Sequence, residues 1–150
     1  MQLNFSDLEY ENRRRTARRE AFLKKMDEIL PWDKWCEMLA PHYPDGKKGR
    51  KPHPLDHMLK MYLIRTWFGL SDTAAEEAIY DSYAMKSFLN LDFSSTEQVP
   101  DATTLCKFRG ILRKTGADKV IEADIKEASA NAGLRIKPGR ITEASAVKVR

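Results

Sequence analysis

Between Pro54 and Phe68, the residues Leu55, Met58, Leu59, Tyr62, Leu63, Thr66 and Trp67 recur at steps of three and four. At 3.6 residues per turn this spacing draws one unbroken stripe down a helix. Such a wide apolar face predicts a central core helix with other elements packed around it. Gly69 stands where the chain leaves that helix, because a left-handed C-terminal cap costs glycine least. The most apolar run, Met61 to Leu70, is interrupted by Arg65 and falls far short of the ~20 residues a membrane span needs.

The remaining chain repeats the helical pattern almost throughout. Phe22, Met26, Ile29 and Leu30 form a stripe over residues 16–30, with Thr16 as its expected N-cap. Pro31 suits the first turn of a second helix carrying Trp32, Trp35, Cys36 and Leu39, which Pro41 stops. Residues 41–54 hold four prolines and two glycines and are predicted as a loop. After the central helix, Ser71 or Asp72 caps a helix over Thr73 to Tyr80. A short helix near Tyr83 to Leu89 follows, with Met85, Phe88 and Leu89 inward, and then a polar loop over 90–100. Asp101 caps a helix to about Thr115 that turns Leu105, Phe108, Ile111 and Leu112 to the core. A last helix covers Asp118 to Ala132, with Val120, Ile121, Ile125 and Ala128 inward. Beyond Pro138-Gly139 the period changes to two over 141–149, which predicts one strand without a partner in the chain.

A length of 150 residues accommodates one ordinary domain, or a small domain and part of another. Charged residues make up 32%, above the roughly 25% of an average domain, so the surface is heavily ionic. Asp7, Glu9 and Glu11 precede the first basic residue, unlike a secretory signal. Two distant cysteines, Cys36 and Cys106, make no disulfide scaffold and fit a reducing cytoplasm. Residues 1–53 hold twelve basic and nine acidic side chains, 54–133 nine and twelve, and 134–150 five and one. Positive charge therefore sits at the two ends, which suits a polyanionic partner or, equally, a solvated surface.

Three basic groups stand out. Arg13, Arg14, Arg15, Arg18 and Arg19 share neighbouring helical turns, where phosphates relieve their mutual repulsion. Lys47, Lys48, Arg50 and Lys51 centre the proline-rich loop. On the helix from 101 to 115, the inward residues leave Thr103, Lys107, Gly110 and Lys114 on the opposite side, flanked by Arg109 and Arg113. A helix offering Thr, Lys and Arg outward fits a DNA major groove, and a mid-face glycine permits close approach of a phosphate or another backbone. The alternative for each group is an ordinary ionic surface.

Other chemistry has little support. His53 and His57 are four apart, but His53 lies between two prolines, outside the helical run, so no metal site is expected and His57 is placed on a helix surface. Cys36 and Cys106 sit in helical patterns as small buried or flanking residues. No glycine-rich phosphate loop occurs.

Four segments in order carry a family resemblance. Asn12-Arg13-Arg14-Arg15 leads into Phe22-Leu23 and Ile29-Leu30-Pro31-Trp32. Gly49-Arg50-Lys51-Pro52-His53-Pro54-Leu55 precedes Met58-Leu59. Trp67-Phe68-Gly69-Leu70-Ser71-Asp72 precedes Glu76-Glu77-Ala78, and Pro100-Asp101-Ala102-Thr103-Thr104-Leu105 precedes Phe108-Arg109. Together they resemble the N-terminal, InsH-type domain of DDE transposases of the bacterial insertion sequence 5 group, over nearly the whole chain.

The resemblance implies a mostly α fold: a helical DNA-binding domain with helix-turn-helix-like elements over 1–133. Residues 134–150 then form a linker and one β-strand resembling the first strand of an RNase H-like catalytic domain. In the family the helical part recognises terminal inverted repeats and supports dimerisation. The catalytic part holds two divalent metals, typically Mg, on Asp, Asp and Glu for in-line phosphoryl transfer. Here Thr142-Glu143-Ala144-Ser145 stands where the family has a pattern like Val-Asp-Ala-Thr, so Glu143 takes the place of the first Asp, and no Asp or Glu follows it. The expectation is a truncated chain with no catalytic residues, no metal or cofactor of its own, and no cutting or joining of DNA by itself. Its implied partners are double-stranded DNA and a second copy or full-length transposase, with no membrane, in the bacterial cytoplasm at the nucleoid. Arg13, Arg14, Arg15, Arg18, Arg19, Lys47, Lys48, Arg50 and Lys51 are expected to hold phosphates. Thr103, Thr104, Lys107, Arg109 and Arg113 are expected on the base-reading helix. An inhibitor of the full-length enzyme, or one half of a frameshifted enzyme, are the other classes left open.

Overall fold

The computed structural model describes residues 5–47, 49, 51–91, 99–136 and 147–149. It is mostly helical. Its elements are α1 (Phe5–Ile29), α2 (Trp32–Leu39), a 3-10 turn (Ala40–His42), α3 (Leu55–Trp67), α4 (Asp72–Asp81), α5 (Tyr83–Phe88), α6 (Ala102–Thr115) and α7 (Ala117–Asn131). Two short strands follow, β1 (Leu134–Ile136) and β2 (Val147–Val149).

The central helix is more enclosed than its stripe suggests. His57, Met58, Leu59, Lys60, Met61, Leu63, Ile64 and Trp67 of α3 are all buried. His57, placed on the surface by the sequence pattern, is only 6% exposed. The reason is that α2, α4 and α6 all pack on α3, so its polar side is covered too. α1 brings Phe22, Leu23, Met26 and Leu30 into the same core and packs chiefly on α5. Phe22 meets Trp67 edge-on at 5.1 Å and Phe68 at 6.3 Å between ring centroids.

Enclosure on all sides buries a charge. Lys60 is 4% exposed. Its ammonium lies 5.3 Å from the centroid of Trp32 and 5.2 Å from that of Phe88. Asp27 Oδ1 pairs with it at 3.0 Å, and the Asp27 carbonyl accepts a 2.9 Å hydrogen bond from Trp32 Nε1. One lysine thereby ties α1, α2, α3 and α5 together. A desolvated cation over two rings, with a carboxylate partner, offsets the several kcal/mol that burying it costs.

Helix boundaries follow local chemistry. Ser71 accepts from Ala74 N–H at 3.0 Å, Ser82 from Met85 N–H at 3.2 Å and Asp101 from Thr104 N–H at 2.7 Å, each serving as an N-cap. Gly116 takes φ 76° where α6 gives way to α7, a conformation that disfavours any side chain. α2 and α7 are joined by Asp124, which accepts from Trp35 Nε1 and from Lys34 Nζ, both at 2.8 Å. These bonds hold its carboxyl below the ordinary carboxylate range, the Lys34 bond contributing most.

Three further expectations are corrected. Thr16 is not a cap: α1 begins eleven residues earlier at Phe5, and Thr16 Oγ1 donates to the Asn12 carbonyl inside the helix. Weak apolar periodicity before Phe22, where charged residues dominate, hid that segment. Val120 points outward at 36% exposure, since Ala117 and Ile121 take the buried face of α7. The strand over 141–149 falls within the described residues only at Val147–Val149, and there it has a partner. β1 pairs with it antiparallel, Leu134 opposite Val149 and Ile136 opposite Val147. Three residues after Gly133 are too few for alternation to reveal.

Replacing Lys60 separates charge from packing. Lys60→Ala is expected to lower the unfolding free energy in urea by about 2–4 kcal/mol, because it leaves a void between Trp32 and Phe88. Lys60→Met, which keeps the stem and offers sulfur to the rings, should lose less than half of that. Equal losses in the two variants would place the stabilisation in the ion pair instead.

Candidate nucleic-acid interface

The site begins with the two faces of α6. Leu105, Phe108 and Leu112 are buried, which fixes the helix's rotation. Thr103, Cys106, Lys107, Arg113 and Lys114 are exposed as a result. Lys107, Gly110, Ile111, Arg113 and Lys114 line one shallow, open depression on this face. Among the described residues, none of Lys107, Arg113 and Lys114 forms an ion pair. Three other surface cations are paired within their own helices, Arg13 with Glu9, Lys24 with Glu20 and Lys126 with Glu122. The α6 face thus concentrates unneutralised positive charge.

Polar bonds brace α6 from behind. Asp72, at the start of α4, accepts from Arg109 Nε at 2.9 Å and from Arg109 Nη2 at 2.6 Å. The same carboxylate accepts from Arg65 Nε of α3 at 2.7 Å. One turn further along α4, Glu76 Oε1 accepts the Ala102 backbone N–H at 2.8 Å. Asp72 and Glu76 therefore grip α6 at points seven residues apart. Arg109, expected among the base-reading residues, has its guanidinium engaged in a two-point bond inside the protein. Thr104 is half-buried and gives its backbone N–H to the Asp101 cap. Tyr43, at the start of the proline-rich loop, packs edge-on against Phe108 at 6.1 Å, and its hydroxyl donates to the His53 carbonyl. Burial pushes the Tyr43 hydroxyl up to about 12. This contact seats the loop carrying Lys47 and Lys51 against α6.

The other predicted cations are spread more widely. Arg13, Arg14 and Arg15 are exposed on α1, whereas Arg18 and Arg19 are half-buried and Arg19 lies 5.5 Å from the Phe68 ring centroid. Since α1 packs chiefly on α5, these arginines are carried by a different part of the core from α6. Lys47 and Lys51 are exposed; Lys48, Arg50 and Glu143 lie outside the described residues. Among the described residues, no three His, Cys, Asp or Glu side chains are grouped to hold a metal ion, and no helix is long and apolar enough to cross a membrane. Sequence spacing foretold the exposed face, including Gly110 and Lys114. It gave no sign of the Asp72 brace, whose members are separated by up to 37 residues. The signal available was three unexplained polar residues, Arg65, Asp72 and Arg109, each adjoining an apolar stripe.

The brace has a pH signature. The Arg109 hydrogen bond, more than any other influence, holds the Asp72 carboxyl below its ordinary value. A depressed folded-state pKa means that stability is full above the unfolded value, about 3.9, and is lost as pH falls through the lower folded value. Asp72→Asn is expected to cost about 2–3 kcal/mol at pH 7 by urea denaturation, the range of lost charged hydrogen bonds. The wild-type and variant stability curves should converge as pH falls below 4; a gap that persists unchanged at low pH would rule out the carboxylate as its source.

Residues 10–110 match the family described as Transposase domain (DUF772). No solved structure matches the chain. The matched stretch includes the α1 arginines, the proline-rich loop, both acids of the α4 brace and α6 as far as Gly110. It covers about two thirds of the sequence, and on that match the chain belongs to the DUF772 transposase domain family.

Proposed function

We propose that this chain binds double-stranded DNA, at the terminal inverted repeats of an insertion element of the insertion sequence 5 group, as the InsH-type N-terminal part of a transposase. The observation that carries the reading is the exposed face of α6, where Lys107, Arg113 and Lys114 stand without acidic partners. A polyanion neutralises such a face, and DNA is the polyanion that a transposase domain meets. Membership of the transposase domain family supports the same reading. α4, α5 and α6 are the helix-turn-helix-like part. Thr103 and Lys107 are the proposed contacts to base edges, and Arg113 and Lys114 the proposed contacts to phosphate. Arg109 is a positioning residue that holds α6 through Asp72. Lys47 and Lys51 in the loop, and Arg13, Arg14 and Arg15 on α1, are further phosphate contacts. The proposed role is binding, as a dimer in the bacterial cytoplasm; no catalytic step or metal is assigned to these residues.

The test is a salt series of binding to a duplex with the terminal repeat and to a scrambled duplex, with no metal added. Preference for the repeat is expected, with log affinity falling by about 0.9 for each phosphate contacted per tenfold rise in salt. Arg113→Ala combined with Lys114→Ala should flatten that slope by about 1.8 on both duplexes. Lys107→Ala should erode the preference itself. Equal, weak binding to both duplexes would reduce the basic face to a generally polyanion-attracting surface and defeat the sequence-directed reading.

A further inference from the structure

Gly110 sits in the middle of α6, where glycine is a poor choice for helix stability. Internal packing does not require it. A Cβ built there meets nothing within 4 Å, and its backbone is not in the left-handed region. Among the described residues no neighbour approaches closely, and no turn needs its freedom. What surrounds it is charge. Its helical neighbours at −3, +3 and +4 are Lys107, Arg113 and Lys114, and the neighbour at −4 is the exposed Cys106. These three cations, Gly110 and Ile111 line the depression. The first turn of α6 differs in kind: the backbone N–H groups of Ala102 and Thr104 are taken by the carboxylates of Glu76 and Asp101. Negative charge therefore guards the start of the helix, and positive charge rings its middle and end.

We infer that a DNA phosphodiester backbone crosses α6 at Gly110, seated against bare helix backbone and held by Arg113 and Lys114, with Lys107 beside it on the side of the bases. The inference rests on the DNA-binding reading and sharpens it by naming the contact. Charge complementarity selects the occupant: three unpaired cations around a spot without a side chain fit a closely approaching phosphate. An apolar partner would leave all three desolvated without compensation. Phosphate contacts carry no sequence information, so this contact fixes the register of the helix on the duplex while base reading falls to residues beside it.

Gly110→Ala tests the inference, because stability and binding should move in opposite directions. Alanine in open space on a helix raises the thermal unfolding midpoint, by about 2 °C or more for a chain of this size. The added methyl should weaken binding several-fold on the repeat and scrambled duplexes alike, with the salt slope nearly unchanged because no charge is lost. Lys114→Ala is the companion variant, expected to flatten the slope by about 0.9 on both duplexes. Several outcomes overturn the inference. Gly110→Ala that melts higher and binds like the wild type shows that nothing approaches the helix there. A lower melting point shows that the glycine serves the fold. A loss confined to the repeat duplex puts a base edge at Gly110 instead of a phosphate. If wild type binds with the expected salt slope and only Gly110→Ala is silent, this contact alone fails. If wild type shows no salt-dependent binding to either duplex, the DNA-binding reading fails with it.

Discussion

The enclosure of α3 governs the rest of the molecule. A helix covered on nearly all sides has nowhere to put a charge, yet α3 carries Lys60 and Arg65. An unpaired charge in such surroundings costs several kcal/mol, so each must find its partner inside the protein. Lys60 finds Asp27 on α1, between the rings of Trp32 and Phe88. Arg65 finds Asp72 at the start of α4. A carboxylate has about four lone-pair sites; Arg65 takes one of those on Asp72, and Arg109 of α6 takes two more. The demand of one buried helix is thereby passed outward to the orientation of another.

Much of this fold is legible in the sequence because its helices announce themselves twice, by an apolar stripe and by an end signal. α2, α3 and α6 combine both, and their observed limits lie close to those the pattern gives. The failures share a cause. Periodicity cannot see the first turns of α1, because charged residues dominate the sequence over 9–20. His57 and Lys60 look like surface residues because polarity is the only clue, and burial of a polar side chain is decided by partners elsewhere in the chain. The outer face of α6 is readable as the complement of its inner face, and the exposures of Thr103, Lys107, Arg113 and Lys114 follow from where Leu105, Phe108 and Leu112 point. Arg109 shows the limit of such reasoning. Its place on the helix was correctly on a flank, but only the fold reveals that Asp72 stands opposite.

The distribution of acid and base along α6 bears on how it meets a polyanion. Carboxylates at the start of a helix complement its dipole and stabilise it, and Asp101 and Glu76 do so here. The same carboxylates repel phosphates from that end. In many helix-turn-helix proteins the N-terminal residues of the recognition helix lie deepest in the groove. In the proposed complex, Thr103 lies beside its acidic cap and approaches a base edge only if the phosphates flanking it are held further along the helix, near Arg113 and Lys114. In the proposed complex, base reading and phosphate holding are thus separated along one helix by the way that helix is capped.

α6 also bears costs that its neighbours avoid. A mid-helix glycine forfeits about 0.5–1 kcal/mol relative to alanine, and the clustered cations of its outer face repel one another with no acid among them to relieve it. Both costs fall on one side of one helix, while the helix stays formed because Leu105, Phe108 and Leu112 bury its other side and Asp72 and Glu76 clasp its first half. Local choices that oppose the fold tend to cluster where a partner compensates for them. Among the described residues nothing compensates for Gly110 or for the three cations around it, and in the proposed complex an anion that approaches closely supplies that compensation for both at once.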